Sequence, residues 1–428
     1  GSEMCIRDRG SSGGFMNRRD RRRACALAAK GLRPSQARTQ PRSLSFSFGT
    51  ANRKALLLST ALASTLLIAI VAVPAPAHAV QDCTADIGTG PDPIIYLGIG
   101  DAITCINTEA RTGEAPDFEA IGLSTTGDNY PILLDSEGRL QSYNPAGDAR
   151  GINAYTNGVN SPITITNRGD INSSGSNFVN GITAFARSPQ SAISIANNGD
   201  ITASTENGIA YGIFFYTAGG NITVTNSGDI TATAHDGNAA GIYGDKRGDN
   251  SSFVVINSGD ITASTKNANA FGIYAYNRGN NSPISITNSG DIVASAVGSG
   301  KTGGDAYGIS AYSDYTNSPV TVTNSGDITA TSQSEDATGI WAGSHFGNSP
   351  VTVTNSGNIT ASAVGSGKDS GDAYGIYAYS FDPNSPVTVT NHGDITATAT
   401  GDAYGIYAGT NGNNSPITVT NHGDITAT

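Results

Sequence analysis

Val351-Thr352-Val353-Thr354-Asn355-Ser356-Gly357-Asn358-Ile359-Thr360-Ala361 is the stretch that decides the fold. Its valines and threonines alternate, so the valines fall on one face of an extended chain and the threonines on the other, the period of a half-buried strand. Asn355 to Asn358 then reads as a turn, because Gly and Asn tolerate positive φ, and Ile359 resumes the apolar set in a second strand. Pro350 stands just ahead, at a strand's first residue, where the missing N–H does no harm.

The same text recurs in both directions. Asn-x-Gly-(Asp/Asn)-Ile appears around Gly169, Gly199, Gly228, Gly259, Gly290, Gly326, Gly357, Gly393 and Gly423, with steps of 29 to 31 residues apart from two of 36. Both long steps carry the same insert, Ala-Val-Gly-Ser-Gly-Lys, at Ala296 to Lys301 and Ala363 to Lys368. An insert that preserves the frame belongs in a loop. Gly-Ile followed by aromatic-rich text keeps phase at Gly151, Gly181, Gly212, Gly241, Gly272, Gly308, Gly339, Gly375 and Gly405, and Pro162, Pro283, Pro319, Pro350, Pro386 and Pro416 share one phase. Each unit predicts three short strands. One unit cannot bury its apolar face alone, but stacked units fill a continuous narrow core and pair their backbones. The expected fold is all-β: a right-handed parallel β-helix, or β-solenoid, of nine rungs of about 31 residues over 119–428. At about 4.8 Å per rung it would be a rod on the order of 40 Å long.

Composition agrees. Of 428 residues 54 are Gly and only 14% are charged, a mixture suited to short strands and tight turns. Thirteen of the 24 basic residues and three of the 35 acidic ones precede position 80, giving +10 there and 11 − 32 = −21 afterwards. The acidic remainder has no basic cluster with interleaved aromatics, which argues against nucleic acid and for a self-repelling, soluble exterior.

The basic part reads as targeting. Arg53 and Lys54 precede an apolar run from Ala55 to Val73, then Pro74, Pro76 and Ala77-His78-Ala79. This is a secretory signal with cleavage between Ala79 and Val80; the rival, a membrane anchor, fits the length but not the prolines and small-x-small site. Residues 16–79 form the extended signal, and residues 1–15, with Cys5-Ile6-Arg7-Asp8-Arg9, resemble translated adapter sequence. Cys5 and Cys25 leave with the leader, so Cys83 and Cys105 are expected to form one disulfide in an N-terminal cap region, 80–118. A two-cysteine metal site is the rival, and no His or Cys lies near to complete it.

The unit Val-Thr-Val-Thr-Asn-Ser-Gly-Asp-Ile-Thr-Ala behind a long signal peptide resembles the passenger region of proteobacterial autotransporters, over roughly residues 80–428. The resemblance implies export through the inner membrane, display at the cell surface, outer membrane or in the medium by a C-terminal β-barrel, and a role in adhesion or autoaggregation. Its implied partners are surface glycans, proteins or sister copies. The chain shows no alternating membrane strands and stops at Thr428 directly after a repeat marker, so a truncated fragment is expected, its translocator barrel missing.

Several parallel β-helix proteins are polysaccharide lyases or hydrolases, whose sites gather carboxylates and basic groups that interrupt the repeat. Here Asp170, Asp200, Asp229, Asp260, Asp291, Asp327, Asp394 and Asp424 belong to the repeat instead. They read as solvated turn residues, the rival being a calcium-bridged column; the Gly-Gly-x-Gly-x-Asp calcium repeat is absent. Thr pairs such as Thr352/Thr354 and Thr388/Thr390 suit an exposed strand, and ice binding is the rival. Tyr243, Tyr274, Trp341, Tyr377 and Tyr407, with Phe214, form an aromatic column that reads as an inter-rung ladder or as a surface for glycans or protein. Arg-Gly-Asp occurs at Arg168 to Asp170, in the repeat turn, and at Arg247-Gly248-Asp249, in a variable loop that could be displayed. His392 and His422 share a phase and read as drift from Ser, with a shared metal as rival. No Ser/His/Asp set, phosphate loop or cysteine nucleophile appears, so neither enzyme activity nor a cofactor is expected. The expectation is an adhesive or structural surface rod; the rivals are a polysaccharide-active enzyme and an inert spacer for another domain.

Overall fold

The computed structural model describes residues 80–82, 92–113, 119–298, 303–365 and 371–428. Ala79, Cys83 and the whole leader lie outside the described residues. Among the described residues there is no helix, and the strands are assembled into three parallel sheets. One sheet has twelve strands, from Val80–Asp82 to Ile417–Asn421; the second has eleven, from Arg111–Gly113 to Ile425–Ala427; the third has eleven, from Ile94–Ile99 to Ala403–Thr410. Successive strands of the chain go to different sheets, so each sheet's neighbours are one coil apart and the whole is a β-solenoid of about ten turns.

The deciding stretch supplies two sheets. In the first, Val320, Val351 and Val387 pair in register, as do Thr321, Thr352 and Thr388. The valines are wholly buried while the threonines face outward. In the second, Ile328, Ile359 and Ile395 align and meet the valines, together with Ile340 and Ile376 of the third sheet, in one continuous core. A thinner seam of alanines, such as Ala337, Ala361 and Ala373, closes the corner between the second and third sheets. Prolines 319, 350, 386 and 416 enter the first sheet's strands, and each carbonyl accepts a hydrogen bond from the strand one coil back.

The turn differs from its sequence reading. Asn355 is not a turn residue but the last residue of its strand, fully buried. Its Nδ2 donates to Gly357 O at 2.6 Å and to Asn391 Oδ1 at 2.7 Å. The same bonds link Asn167, Asn197, Asn226, Asn257, Asn288, Asn324, Asn355, Asn391 and Asn421 into an unbroken ladder. Positive φ occurs instead in the turn before Ser-Pro, at Asn160, Asn281, Asn317, Asn348, Asn384 and Asn414, each between 52° and 58°, where Asn is the side chain best able to adopt it. Gly357 is required for a different reason: a Cβ there would press deep into the carbonyl of Gly326, one coil back.

The coil also begins upstream of the repeated text. Strands Ile94–Ile99, Ala102–Asn107 and Arg111–Gly113 already form one turn, placed in the three sheets. Asn107 sits at the ladder position and bonds Glu109 O at 2.9 Å and Ser136 Oγ at 3.2 Å. Arg111 takes the place of the repeat's Ile and is buried, its Nε donating to Asn107 Oδ1 at 3.0 Å. The geometry persists where the lettering has changed, which is why the text alone puts the start of the repeats later. Cys105, in the same turn, is buried and disulfide-bonded. Strand Val80–Asp82 pairs with Ala102–Thr104, stopping one residue short of both cysteines.

Candidate functional site

Core positions are filled mainly by aliphatic side chains, with Phe215 and Phe253 among them, so most of the candidate chemistry lies in outward columns. The Asp column is exposed, and each member joins coils: Asp229 N donates to Asp200 Oδ1 at 2.9 Å, Asp260 N to Asp229 Oδ1 at 2.9 Å and Asp291 N to Asp260 Oδ1 at 2.8 Å. A backbone N–H for each carboxylate offsets the repulsion within the column. A second ladder of this kind runs through Asn269, Asp305, Asp336, Asp372 and Asp402. Among the described residues no group of three or more His, Cys, Asp or Glu is placed to hold a metal.

Aromatic side chains occupy the outer face of the third sheet. Phe214, Tyr243, Tyr274, Trp341, Tyr377 and Tyr407 do share one register column, interrupted by Ser310. Tyr243 and Tyr274 stack at 4.5 Å, and Tyr377 and Tyr407 at 4.9 Å, as an inter-coil ladder requires. Two further columns flank it: Tyr211, Phe271, Tyr307, Tyr374 and Tyr404 on one side, Tyr155, Phe185, Tyr216, Tyr276, Tyr312 and Tyr379 on the other. Strand pairing skips the glycine of each Gly-Ile, where the side chain of the second sheet's Ile, such as Ile230 against Gly212, fills the space of the missing Cβ. This kink puts positions i, i+3 and i+5 on one face, a spacing that a strict period of two cannot find.

Both Arg-Gly-Asp triplets are part of the coil. Arg168 is paired with Asp135 and Glu137, and Asp170 Oδ1 accepts from Asp200 N. In the second triplet Arg247 lies over the Tyr216 ring at 5.4 Å, Gly248 O accepts from Lys246 Nζ at 2.9 Å, and Asp249 Oδ1 accepts from Asn280 N at 2.7 Å. Neither is a free loop. His392 and His422 stack with centroids 4.7 Å apart.

Lys246 was not anticipated. It points into the core, wholly buried, and its ammonium is held by Gly248 O and by Asn277 Oδ1 at 3.2 Å. Burial pulls its pKa down to about 8, opposed by the Asp249 charge. Between pH 8 and the usual lysine range the unfolded chain binds the extra proton, so stability rises with pH through that window. Burial pushes the Tyr274, Tyr276 and Tyr374 hydroxyls up; above about pH 10 the unfolded chain loses those protons first, and stability falls. Urea midpoints from pH 7.5 to 11 should therefore rise and then drop. Lys246→Met should flatten the rise and leave the drop; a rise of unchanged slope in that variant would show that Lys246 is not its source.

The polar groups that do interrupt the repeat lie beside the aromatic columns. Asp245 stands in register between Tyr216 and Tyr276. Its Oδ2 is 3.5 Å from Arg278 Nη2 and 4.0 Å from Arg247 Nη2. Arg278 lies 4.5 Å over the Tyr276 ring. The Tyr276 hydroxyl donates to Asp314 Oδ2 at 3.1 Å, and Asp314 Oδ1 is 2.8 Å from His345 Nδ1. These residues are tens of positions apart and meet because Arg247, Arg278, Asp314 and His345 occupy one column on successive coils. Comparisons with family models, curated proteins and solved structures found no match for this chain.

Proposed function

We propose that this chain is the passenger region of an autotransporter-type surface protein, exported by its leader and acting as an adhesive or structural rod in contact with surfaces, host tissue or sister cells. The observation that carries this reading is the uniform bonding from coil to coil. Sheets, Asn ladder and Asp ladder extend the molecule by identical steps while leaving the outward columns free to make contacts. The Arg53-Lys54 and Ala55 to Val73 signal, and the small-residue site at Ala79, support export. In this reading a translocator β-barrel accompanies the passenger in the full-length protein, and the partners are glycans, proteins or other copies. Deleting the gene is expected to reduce attachment or aggregation several-fold, measured by crystal-violet retention and settling; unchanged behaviour in both would remove the adhesive reading and leave the spacer.

A second reading is favoured by one observation. Asp245, Asp314, His345 and Arg278 gather on one face, the arrangement a polysaccharide-active β-helix enzyme requires. New reducing ends or unsaturated products from incubation with polysaccharides would support it.

A further inference from the structure

We propose that the patch around Asp245, Arg278, Asp314 and His345 is a binding subsite for a neutral oligosaccharide. Other members of the Asp245 column are mostly Tyr or Phe, with Gly at 343 and 409. An Asp in that place gives up ring stacking and carries a desolvation cost. Burial pushes its carboxyl up, with Arg278 and Arg247 opposing. Unlike the turn aspartates, it accepts no hydrogen bond from the backbone of the next coil, and its Oδ1 is buried with no partner, as is Arg278 Nε.

A sugar ring does match it. Tyr216 and Tyr276 bracket the carboxylate, with Arg247 lying over the first ring and Arg278 over the buried second, and hydroxyls at the rim of a pyranose both donate to carboxylates and accept from guanidinium. Asp245 Oδ1 and Arg278 Nε are themselves closed off, but the side chains are partly open, with exposures of 17% for Asp245, 32% for Arg278 and 31% for Asp314. Two carboxylates, Asp245 and Asp314, face two guanidiniums, Arg247 and Arg278, so the charges of these four groups balance. That balance favours a neutral ligand over an acidic one. The proposal deepens the adhesive reading and rests on it for the kind of partner met.

The test is binding of the full chain to arrays of neutral and acidic oligosaccharides, followed by calorimetry on the best neutral binder. Asp245→Tyr completes the aromatic column and is expected to keep or raise the melting temperature while weakening binding at least tenfold; should it fail to fold, Asp245→Asn is read in the same way. Arg278→Lys keeps the charge but loses the fork, and is expected to weaken binding several-fold. The proposal is overturned if no neutral oligosaccharide binds, if acidic ones alone bind, or if folded Asp245→Tyr binds like the parent. Sugar binding that depends on Asp245 in a protein whose deletion leaves attachment unchanged would keep the subsite and remove the adhesive reading. Normal attachment by the Asp245→Tyr strain, with no sugar binding by the parent protein, would do the reverse.

Discussion

Asn324→Asp is expected to destabilise the solenoid by about 4 kcal/mol at pH 7, although it changes one NH₂ to an oxygen and nothing in shape. Asn324 is almost fully buried, and its Nδ2 donates to Gly326 O at 2.6 Å and to Asn355 Oδ1 at 2.8 Å. Its own Oδ1 accepts from Asn288 Nδ2 at 2.8 Å. An ionised carboxylate would turn one oxygen toward two acceptors at a position 1% exposed. A protonated one can donate to only one of them, leaving the other unmet. The protonated form is the less costly, so the variant's folded-state pKa must lie above the unfolded one. The loss is therefore smallest at low pH and grows as pH rises past the unfolded carboxylate range. Urea unfolding at pH 5 and pH 8 checks both size and sign. Asn358→Asp, at the exposed turn position where the neighbouring coils carry Asp327 and Asp394, should cost under about 0.5 kcal/mol. Equal losses at the two positions would mean that burial of the ladder is not what makes it matter.

Gly357→Ala should cost about 3 kcal/mol or more, since the added methyl has to displace backbone, not a flexible side chain. Its Cβ would run into the carbonyl of Gly326, and neighbouring glycines stack the same way at Gly290, Gly326 and Gly393. Relief requires two coils to part, which stretches the Asn324 to Asn355 bond and the Ile328 to Ile359 pairing together. Because each coil touches only its neighbours, the damage should appear as a local break that proteases cut near residue 357 before the ends unfold. Ser356→Ala, next door and exposed, loses only a 3.4 Å contact to Asn324 O and should melt within a degree or two of the parent. A Gly357→Ala protein that melts with it would show that the coils have slack at this turn.

The architecture was legible because one physical rule, period-two alternation, is written out in Val-Thr-Val-Thr and repeated in phase. The turn was legible only in part. Asn and Gly were rightly marked as special, but for backbone conformation, whereas Asn355 is a buried hydrogen-bonding rung and Gly357 a point of close approach. A single unit cannot reveal either, since both requirements come from the neighbouring coil. The early turn at 94–113 was missed because Arg111 stands where the repeat has Ile, and the next coil, with Ser136 at the ladder place that Asn107 and Asn167 hold on either side, breaks the lettering between it and the repeats. The candidate site was the least legible. Tyr243, Tyr274 and Trp341 announce themselves by phase, but Asp245, Arg278, Asp314 and His345 look like unrelated substitutions in variable text until coil-to-coil register puts them side by side.

That register also makes the coil a unit of heredity. Ala296 to Lys301 and Ala363 to Lys368 spell the same words 67 residues apart, one short step and one long step of the repeat. Such a pair is what copying a two-coil block would leave. Because a coil added or deleted whole presents the same glycine, asparagine and aspartate to whatever lies on either side, misaligned crossover between repeats yields a longer or shorter protein with every joint intact. Length can therefore change in one generation without passing through a misfolded form.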